Sequence, residues 1–318
     1  MSPTVNGVST APGNLRARPS LALPTKNGVG PSCIVLPPGN WHSVLDFLVE
    51  RFDTIPREEI AARMTRGDVL DAQGAPVLPG HRYQPQLKLF YYRSIEQESP
   101  IPFEEIILFQ DELLLAVDKP HYLPVTPGGR YLQETLLVRL KRKLGMADIA
   151  PVHRIDRETA GVVLFTLQPK TRGIYQALFS ERMVQKQYQA IAPWRADLDL
   201  PLRYRSRLVE AEHFMRMREE AGEPNSETMI SVLEVKGAQA RYRLSPLSGK
   251  KHQLRVHMAS LGLPILHDQI YPVHFSKDEI EKDDFGRPLQ LLAESLRFRD
   301  PVSGQPREFS STRKLVLP

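Results

Sequence analysis

Hydrophobic residues recur along the chain with two different periods, and these periods predict both helices and strands. Apolar side chains three or four positions apart predict amphipathic helices over residues 41–52, 56–67, 133–144, 171–183 and 250–261. Alternating or continuous apolar runs predict strands over residues 106–109, 113–117, 162–166, 186–192, 212–218, 228–236, 239–247 and 291–299. Strands outnumber helices and do not alternate regularly with them, which predicts an α+β fold with a mixed, mainly antiparallel sheet.

Two of these segments carry predictions about the direction of their side chains. The helix over residues 171–183 is expected to bury one apolar side, made of Ile174, Leu178, Phe179 and Met183. In the strand over residues 186–192, side chains alternate between two faces, so Tyr188 is expected to share a face with Lys186.

The composition divides the chain into three parts. Residues 1–38 are rich in Ser, Thr, Pro, Gly and Asn, so they cannot bury enough surface to offset their ordering entropy and are expected to form a flexible tail. Residues 39–95 combine two short helices with an alternating segment, which predicts a small α+β domain. Residues 96–318 form the main domain, since 318 residues suffice for one large and one small domain.

Charge and cysteine content narrow the class of protein. The net charge of +5 and the isoelectric point near 9.2 are modest, but a basic face is what a polyanion such as RNA requires. The single cysteine, Cys33, rules out an internal disulfide and a multi-cysteine metal site, which fits a reducing cytoplasm. No apolar run reaches membrane-spanning length and no signal peptide is visible, so a soluble cytoplasmic protein is expected.

The stretch PVHRIDRETAGVVLFT, residues 151–166, concentrates the candidate chemistry. A charged turn that contains Asp156 between two arginines leads through Gly161 into an apolar strand. A lone aspartate in such a turn is most often a cap or turn former. Here a second basic segment, SGKKHQLRVH at residues 248–257, offers further cations that could reach it. The turn is therefore a candidate active site at the rim of a rigid core.

Four motifs in the same order resemble those of the RluA family of pseudouridine synthases, which convert uridine to pseudouridine in folded RNA. HRIDRETAG is similar to the family's HRLDxxTSG signature, and LLLAVDKPHYLPV is similar to its first motif. KQYQAI resembles the family strand that bears a tyrosine. SGKKHQLRVHMASLGLPILHDQIY resembles the GRTHQIRVH segment with its GDxxY tail. The resemblance spans about two thirds of the chain and implies a synthase-type catalytic domain over residues 96–318.

The resemblance implies a role for each residue that matches a motif. Asp156 takes the place of the catalytic aspartate, Arg255 is its ion-pair partner, and Tyr188 stacks on the target base and serves as the base at ring carbon 5. Arg154 is implied to fill the space left by a flipped-out uridine. The other expected RNA contacts in this domain are Lys119, His153, Lys250, Lys251 and His252.

Several of these residues keep a second interpretation. His153 is a natural candidate for a general acid, but a histidine that holds the turn through a backbone hydrogen bond is the more frequent case. Lys119 can simply end a strand beside the site, Tyr188 can be half-buried core, and Arg255 can be a surface helix residue.

The small domain resembles the alpha-L type RNA-binding domain that is often fused to this family. Two helices are followed by Gly-Asp-Val and a terminal strand, and the arginines of the second helix are Arg57, Arg63 and Arg66. The resemblance implies that these arginines contact RNA. From the residues alone, without this resemblance, the segment is interpreted as a generic small α+β domain.

The resemblance implies no cofactor, and no nucleotide-binding glycine loop is present. His252, His257 and His267 lack the spacing and the acidic partner of a metal site, so none is expected. The expected partner is structured ribosomal or transfer RNA, bound by a monomer. The main alternative is a non-catalytic RNA-binding or chaperone-like protein that keeps the fold. A glycosidase would need a second acid near Asp156, for which Glu158 is the candidate.

The sequence departs from the family pattern at several positions. Ala160 stands where serine is common, and His267 stands where the GDxxY tail has glycine. Lys250 and Lys251 replace Arg-Thr, and the late LHAxxLxFxHP segment has Leu292 and Asp300 in place of its histidines. None of these changes removes a residue with an implied chemical role, but they leave the RNA substrate open.

Overall fold

The computed structural model describes residues 23–93, 98–212, 216–272 and 284–318. The chain divides into two compact units. The smaller unit holds residues 30–93 and the segment that ends at Lys26, and the larger unit holds residues 27–29 and the chain from residue 94 onward. Most of the predicted tail, residues 1–22, lies outside the described residues.

The smaller unit packs two helices against a short sheet. Strand β3 lies between β1 and β2, and both pairings are antiparallel. Helix α1 begins at Ser43, which forms a capping box with Asp46, and α2 ends before Gly67 at a φ of +77°. The elements are β1 (Ser32–Val35), α1 (Val44–Arg51), α2 (Arg57–Thr65), β2 (Val69–Leu70) and β3 (Lys88–Tyr91).

Strand β1 lies inside the segment that the composition assigned to a flexible tail. It pairs with β3 over four residues, Ile34 packs against the core of this unit, and Leu36 is fully buried. The prediction of a tail is therefore wrong for residues 32–36, and the small domain begins before residue 39. Four alternating residues are too few to change the average composition of a 38-residue segment, which is why the strand escaped detection.

The larger unit is built on one sheet that, within the described residues, has eleven strands. The main path through it runs β10-β9-β11-β12-β8-β13-β7-β5-β4, with β14 on β13 and β6 on β7. The strands are β4 (Ile106–Gln110), β5 (Leu114–Lys119), β6 (Ala150–Pro151), β7 (Ala160–Thr166), β8 (Gln185–Pro193), β9 (Leu202–Glu210), β10 (Met217–Glu220), β11 (Ser226–Lys236), β12 (Gln239–Pro246), β13 (Leu291–Arg299) and β14 (Pro306–Ser310). The helices are α3 (Leu136–Leu144), α4 (Arg172–Ser180) and α5 (Gln253–Ser260).

The pairing of these strands confirms the predicted fold class. Every pairing in the sheet is antiparallel except that of β7 with β13. The sheet is therefore mixed and mainly antiparallel, and with the helices it forms an α+β domain. Among the described residues, no helix is both long enough and apolar enough to span a membrane.

The parallel seam between β7 and β13 joins the two halves of the sheet over only two residue pairs, Leu292 with Ala160 and Ala293 with Gly161. Gly161 has a φ of +115°, and a Cβ atom added there would lie 2.1 Å from the carbonyl oxygen of Ala293. Only glycine tolerates both the conformation and the close backbone approach. The seam therefore follows directly from the glycine of the HRIDRETAG motif.

Helix α4 buries a different side from the one predicted. Ile174 is 44% exposed and Met183 is 61% exposed, whereas Tyr175 is buried and donates its hydroxyl to Asp300 Oδ2 at 3.1 Å. The helix ends at Ser180, so Met183 lies beyond it and cannot share its face. Leu178 and Phe179 are partly buried against the same cluster as Tyr175.

Candidate active site

Hydrogen bonds from Lys119, the last residue of strand β5, hold the turn that carries Asp156. The ammonium group of Lys119 donates to the carbonyl oxygens of Pro120, Leu123 and Arg157 at 2.8, 2.8 and 2.9 Å. Burial lowers the pKa of Lys119 to about 7, against the opposing charges of Glu158 and Asp156. Lys119 is fully buried, so the expectation that it contacts RNA is wrong. Its position supports a structural role, namely holding the backbone next to Asp156.

Arg255 on α5 is the cation of the site, and its principal partner is Asp268. The guanidinium donates to both Asp268 carboxylate oxygens, from Nε at 2.8 Å and from Nη2 at 2.7 Å. Its Nη1 atom lies 3.5 Å from Asp156 Oδ2 and 3.7 Å from Glu158 Oε2. The sequence correctly predicted that Asp156 and Arg255 lie close together. It did not predict the contact of Arg255 with Asp268, although that acid lies in the segment that resembles the GDxxY tail.

The three acids around Arg255 keep its guanidinium group positively charged. Its side chain is 1% exposed, and that of Asp268 is 0% exposed. Burial alone would lower the pKa of Arg255, but the charges of Asp268, Asp156 and Glu158 outweigh it and raise that pKa. Burial would likewise raise the pKa of Glu158, yet the cations Arg157 and Arg255 hold it at about 2. Arg255 and Glu158 are therefore both charged at neutral pH, and a charged donor always faces Asp156.

Tyr188 on β8 faces the same space as Asp156. As predicted, its face also carries Lys186, whose ammonium group donates to the carbonyl oxygen of Ser248 at 2.7 Å. Burial, and then the negative charge of Asp156, raise the pKa of Tyr188. The phenol therefore keeps its proton at neutral pH, so its aromatic face is available for stacking while its oxygen is a weak base.

These side chains line one open pocket of about 1140 Å³ in the larger unit. Pockets that hold drug-sized ligands have about 300–1,000 Å³, so the space is sufficient for a nucleoside with part of its backbone. The side chain of Asp156 is 26% exposed. Besides Asp156, Tyr188 and Arg255, the predicted residues that line the pocket are His153, Arg154, Lys250, Lys251 and His252.

Comparison with known proteins assigns the chain to a family. Residues 113–260 match the family model described as RNA pseudouridylate synthase. The dual-specificity RNA pseudouridine synthase RluA of Pasteurella multocida is 31% identical over 220 residues, which make up 66% of this chain and 93% of that protein. The chain belongs to the RluA-type RNA pseudouridine synthases.

Other proteins agree with this assignment. The tRNA pseudouridine synthase C of Vibrio cholerae is 30% identical over 63% of this synthase and 87% of its own length. The solved structure of human RNA pseudouridylate synthase domain containing 1 shares the fold, with a TM-score of 0.53 and 23% identity over 66% of this synthase and 84% of that chain.

His153 holds the turn that carries Asp156 in place. Its Nε2 atom accepts a hydrogen bond from the Leu164 N–H at 3.1 Å, and its ring stacks on Phe179 with centroids 4.3 Å apart. Burial, and then the positive charge of Lys186, lower the pKa of His153 to about 3. The ring is therefore neutral at pH 7, which contradicts the general-acid interpretation and confirms the backbone hydrogen bond. Its contact with RNA stays a prediction.

Of the three histidines that were considered for a metal, His257 and His267 do not line the pocket. His257 is fully buried, with Nε2 3.1 Å from Ser206 Oγ and 3.0 Å from Ser226 Oγ. The Nδ1 atom of His267 lies 3.1 Å from the carbonyl oxygen of Pro288. Within the part of the synthase that the structure describes, no group of three or more potential ligands is placed to hold a metal ion.

The three predicted arginines of the smaller unit, two on α2 and one directly after it, are all paired with acids. Arg57 contacts Asp46 at 2.7 Å, and Arg63 contacts Glu59 at 2.7 Å. Arg66 lies 3.5 Å from Glu59 and 3.3 Å from Asp68. Surface pairs of this kind are weak, on the order of 0 to 1 kcal/mol, so phosphate groups could compete for these arginines. Their role in RNA binding stays a prediction.

Proposed function

We propose that this synthase converts specific uridines of ribosomal or transfer RNA to pseudouridine, with Asp156 as the catalytic residue. The observation that carries the proposal is the position of Asp156 at the wall of the pocket, 3.5 Å from a buried arginine and facing Tyr188. The relatives support an RNA substrate, since one is a dual-specificity RNA pseudouridine synthase and another is a tRNA pseudouridine synthase.

The reaction needs a carboxylate in a pocket that can shut out water. The bond between ribose carbon 1′ and ring nitrogen 1 breaks, the uracil rotates, and the ribose carbon joins ring carbon 5. Arg255 places a positive charge 3.5 Å from the carboxylate of Asp156. The ring of Tyr188 stacks on the uracil, worth roughly 1–3 kcal/mol per base. The proposed role of Tyr188 as a base at carbon 5 requires loss of its proton, which its raised pKa opposes.

The target uridine must leave its stack to reach Asp156, at a cost of about a few kcal/mol. Arg154 is exposed, lines the pocket two residues before Asp156, and is proposed to fill the vacated space. Lys250 and Lys251 are exposed on the same pocket and are proposed to contact phosphates. The smaller unit, His153 and His252 complete the proposed RNA contacts. A cofactor-free monomer in the cytoplasm remains part of the proposal.

The test is tritium release from RNA labelled at uridine carbon 5, isolated from cells that lack the protein. The wild type should release label, whereas Asp156→Asn should release none and should still bind RNA, because only the charge of one pocket carboxylate changes. Asp148→Asn is the matched control, since Asp148 is an exposed acid that does not line the pocket.

Two outcomes would contradict the proposal. If the wild type binds RNA but releases no label from any cellular RNA, the non-catalytic alternative is correct. If Asp156→Asn remains active, another group performs the chemistry. Mapping pseudouridines in RNA from the same cells, with and without the protein, identifies the target position.

A further inference from the structure

His252 occupies a strained position at the edge of the pocket. It directly precedes α5 and has φ and ψ angles of 54° and 15°, in the left-handed region. This region is sterically unfavourable for a residue with a Cβ atom. Non-glycine residues that are held in this region cluster at functional sites, where the surrounding structure enforces them. The side chain of His252 is 10% exposed and lines the pocket.

Two hydrogen bonds determine which ring nitrogen of His252 carries the proton. The Met217 N–H donates to the Tyr271 hydroxyl oxygen at 2.8 Å. That hydroxyl lies 3.0 Å from His252 Nδ1, and among the described residues its proton has no other hydrogen-bond acceptor, so a buried Tyr271 satisfies its proton by donating to this nitrogen. In the neutral ring the remaining proton therefore resides on Nε2.

The groups around His252 keep its ring neutral at pH 7. Burial lowers the pKa of His252, and the charges of Asp156 and Glu158 offset this only in part, while Arg255 and Lys251 add to it. The Arg255 guanidinium lies 5.5 Å from the centre of the Tyr271 ring, within reach of a cation–π contact.

The Nε2–H of His252 points into the pocket beside the catalytic carboxylate. Nε2 lies 3.9 Å from Asp156 Oδ1, which exceeds the 2.7–3.2 Å of a hydrogen bond. Among the described residues, no acceptor lies within hydrogen-bonding reach of Nε2. A fixed donor therefore faces the space next to Asp156 that a flipped uracil would enter.

We propose that His252 is a second catalytic residue, which donates its Nε2–H to a carbonyl oxygen of the target uracil. The inference rests on the function proposed for Asp156. When the bond between carbon 1′ and nitrogen 1 breaks, its electron pair stays on the uracil ring and spreads onto the two carbonyl oxygens. The hydrogen bond stabilises this charge, and the proton remains on His252 throughout, so the step needs no external reagent.

Two substitutions separate this role from a structural one. His252→Asn relieves the left-handed strain, because asparagine tolerates this conformation. Its amide ends near the position of Nδ1, however, and cannot reach the uracil. His252→Gln keeps the strain but places an N–H near the position of Nε2. A donor role therefore favours glutamine for activity, whereas a purely structural role favours asparagine.

The measurement is single-turnover tritium release with excess enzyme over bulk cellular RNA labelled at uridine carbon 5, together with thermal unfolding. His252→Asn should lower the maximal rate constant about 100-fold, as for the loss of one donor to a developing oxyanion. Its half-saturating enzyme concentration and its unfolding temperature should stay near those of the wild type. His252→Gln should lose much less activity despite equal or lower stability.

The outcomes distinguish this proposal from the one for Asp156. Suppose that the wild type is active and Asp156→Asn is not. The role of His252 alone would then be overturned if His252→Asn and His252→Gln had equal rate constants, or if the substitutions changed only the half-saturating enzyme concentration. A wild type that releases no label, or an active Asp156→Asn, would overturn both.

Discussion

At the scale of single residues, Arg255 divides its hydrogen-bonding capacity unequally between two tasks. Two of its nitrogens are committed to Asp268, and the third faces Asp156 and Glu158 at longer distances. The bidentate pair with Asp268 holds the guanidinium plane in one orientation. Asp156 is thus provided with a cation that does not need to reorganise during the reaction, and its own oxygens remain partly open to the pocket.

We predict that Arg255→Ala destabilises the protein and abolishes turnover. The substitution leaves the carboxylate of Asp268 buried without a counter-charge, which costs on the order of 3–5 kcal/mol. Urea unfolding at pH 7 measures this loss.

The matched control is the double variant Arg255→Met with Asp268→Asn. It removes both charges and keeps an oxygen that can accept from the Ile270 and Tyr271 N–H groups. Stability should recover relative to Arg255→Ala, whereas activity should not, because Asp156 still lacks its cation. Recovery of activity would show that Arg255 serves the fold only.

The residue scale also shows what a sequence can and cannot predict. Asp156, Arg255 and Tyr188 were identified because a resemblance fixes residue types at motif positions. Lys119 was misassigned, since a lysine in a motif looks the same whether its ammonium group meets phosphate or three backbone carbonyls. The ion pair of Asp268 with Arg255 forms because the fold places the loop after α5 against that helix, and no local sequence pattern encodes this contact.

At the scale of elements, α5 is anchored by buried polar groups in addition to its buried apolar residues Leu254, Val256 and Met258. Gln253 donates to the Glu227 carbonyl oxygen and to Thr228 Oγ1, both at 3.0 Å. The Nδ1 atom of His257 lies 2.9 Å from Thr228 Oγ1. Arg255 lies between these two anchors, so the position of the guanidinium depends on a neutral His257.

We predict that the free energy of unfolding falls as the pH drops from about 6.5 toward 4. Burial, offset in part by Glu219, lowers the pKa of His257 to about 4 from its ordinary 6.5. Between these values the unfolded chain binds a proton that the folded protein does not, so stability decreases by up to about 1.4 kcal/mol per pH unit for each such group. Burial also lowers the pKa of His121 to about 4 and of His153 to about 3, which steepens the dependence.

Urea unfolding between pH 4 and 7 tests this for wild type and His257→Asn. The variant should show a shallower slope by about one proton, because one titrating group is gone. Parallel curves for the two proteins would mean that His257 does not contribute to the acid sensitivity.

Elements could be predicted where the periodicity was strong. The late strand β13 has the predicted ends, and α3 ends at the predicted glycine. Strand β9 was missed, because its outward arginines alternate with inward residues of mixed polarity. Strand β10 extends into a segment that read as a polar loop. Both lie at one edge of the sheet, where pairing with a neighbour and not apolar burial determines the conformation.

At the scale of the whole molecule, the open question is how much of the RNA affinity comes from the smaller unit. If Arg57, Arg63 and Arg66 contact phosphates, replacing all three with glutamine should weaken RNA binding and flatten its salt dependence. The slope of log affinity against log salt should fall by roughly 0.7–0.9 for each lost contact. Affinity for the mapped RNA, measured from 50 to 200 mM salt, checks this.

A matched control exists on β9 in the larger unit. Leu202 on β9 pairs with Ile230 on β11, and Ile230 is connected through β12 to Tyr188 on β8. These three side chains therefore share the face of the sheet that carries Tyr188, and the arginines that alternate along β9 project from the opposite face. Replacing the exposed side chains of Arg203, Arg205 and Arg207 with glutamine should leave the salt slope unchanged. An equal effect of both triple variants would mean that the smaller unit has no special share in binding.

Gly161 sets the distance between the two halves of the sheet that line the site. Asp156 precedes β7 in one half of the sheet, Tyr188 lies on β8 in the other, and the halves meet where Gly161 touches the backbone of Ala293. A single extra methyl group at this seam would force the halves apart and carry the carboxylate away from the ring that it faces. The alignment of the two halves of the pocket therefore depends on a residue that lines no part of it and has no side chain.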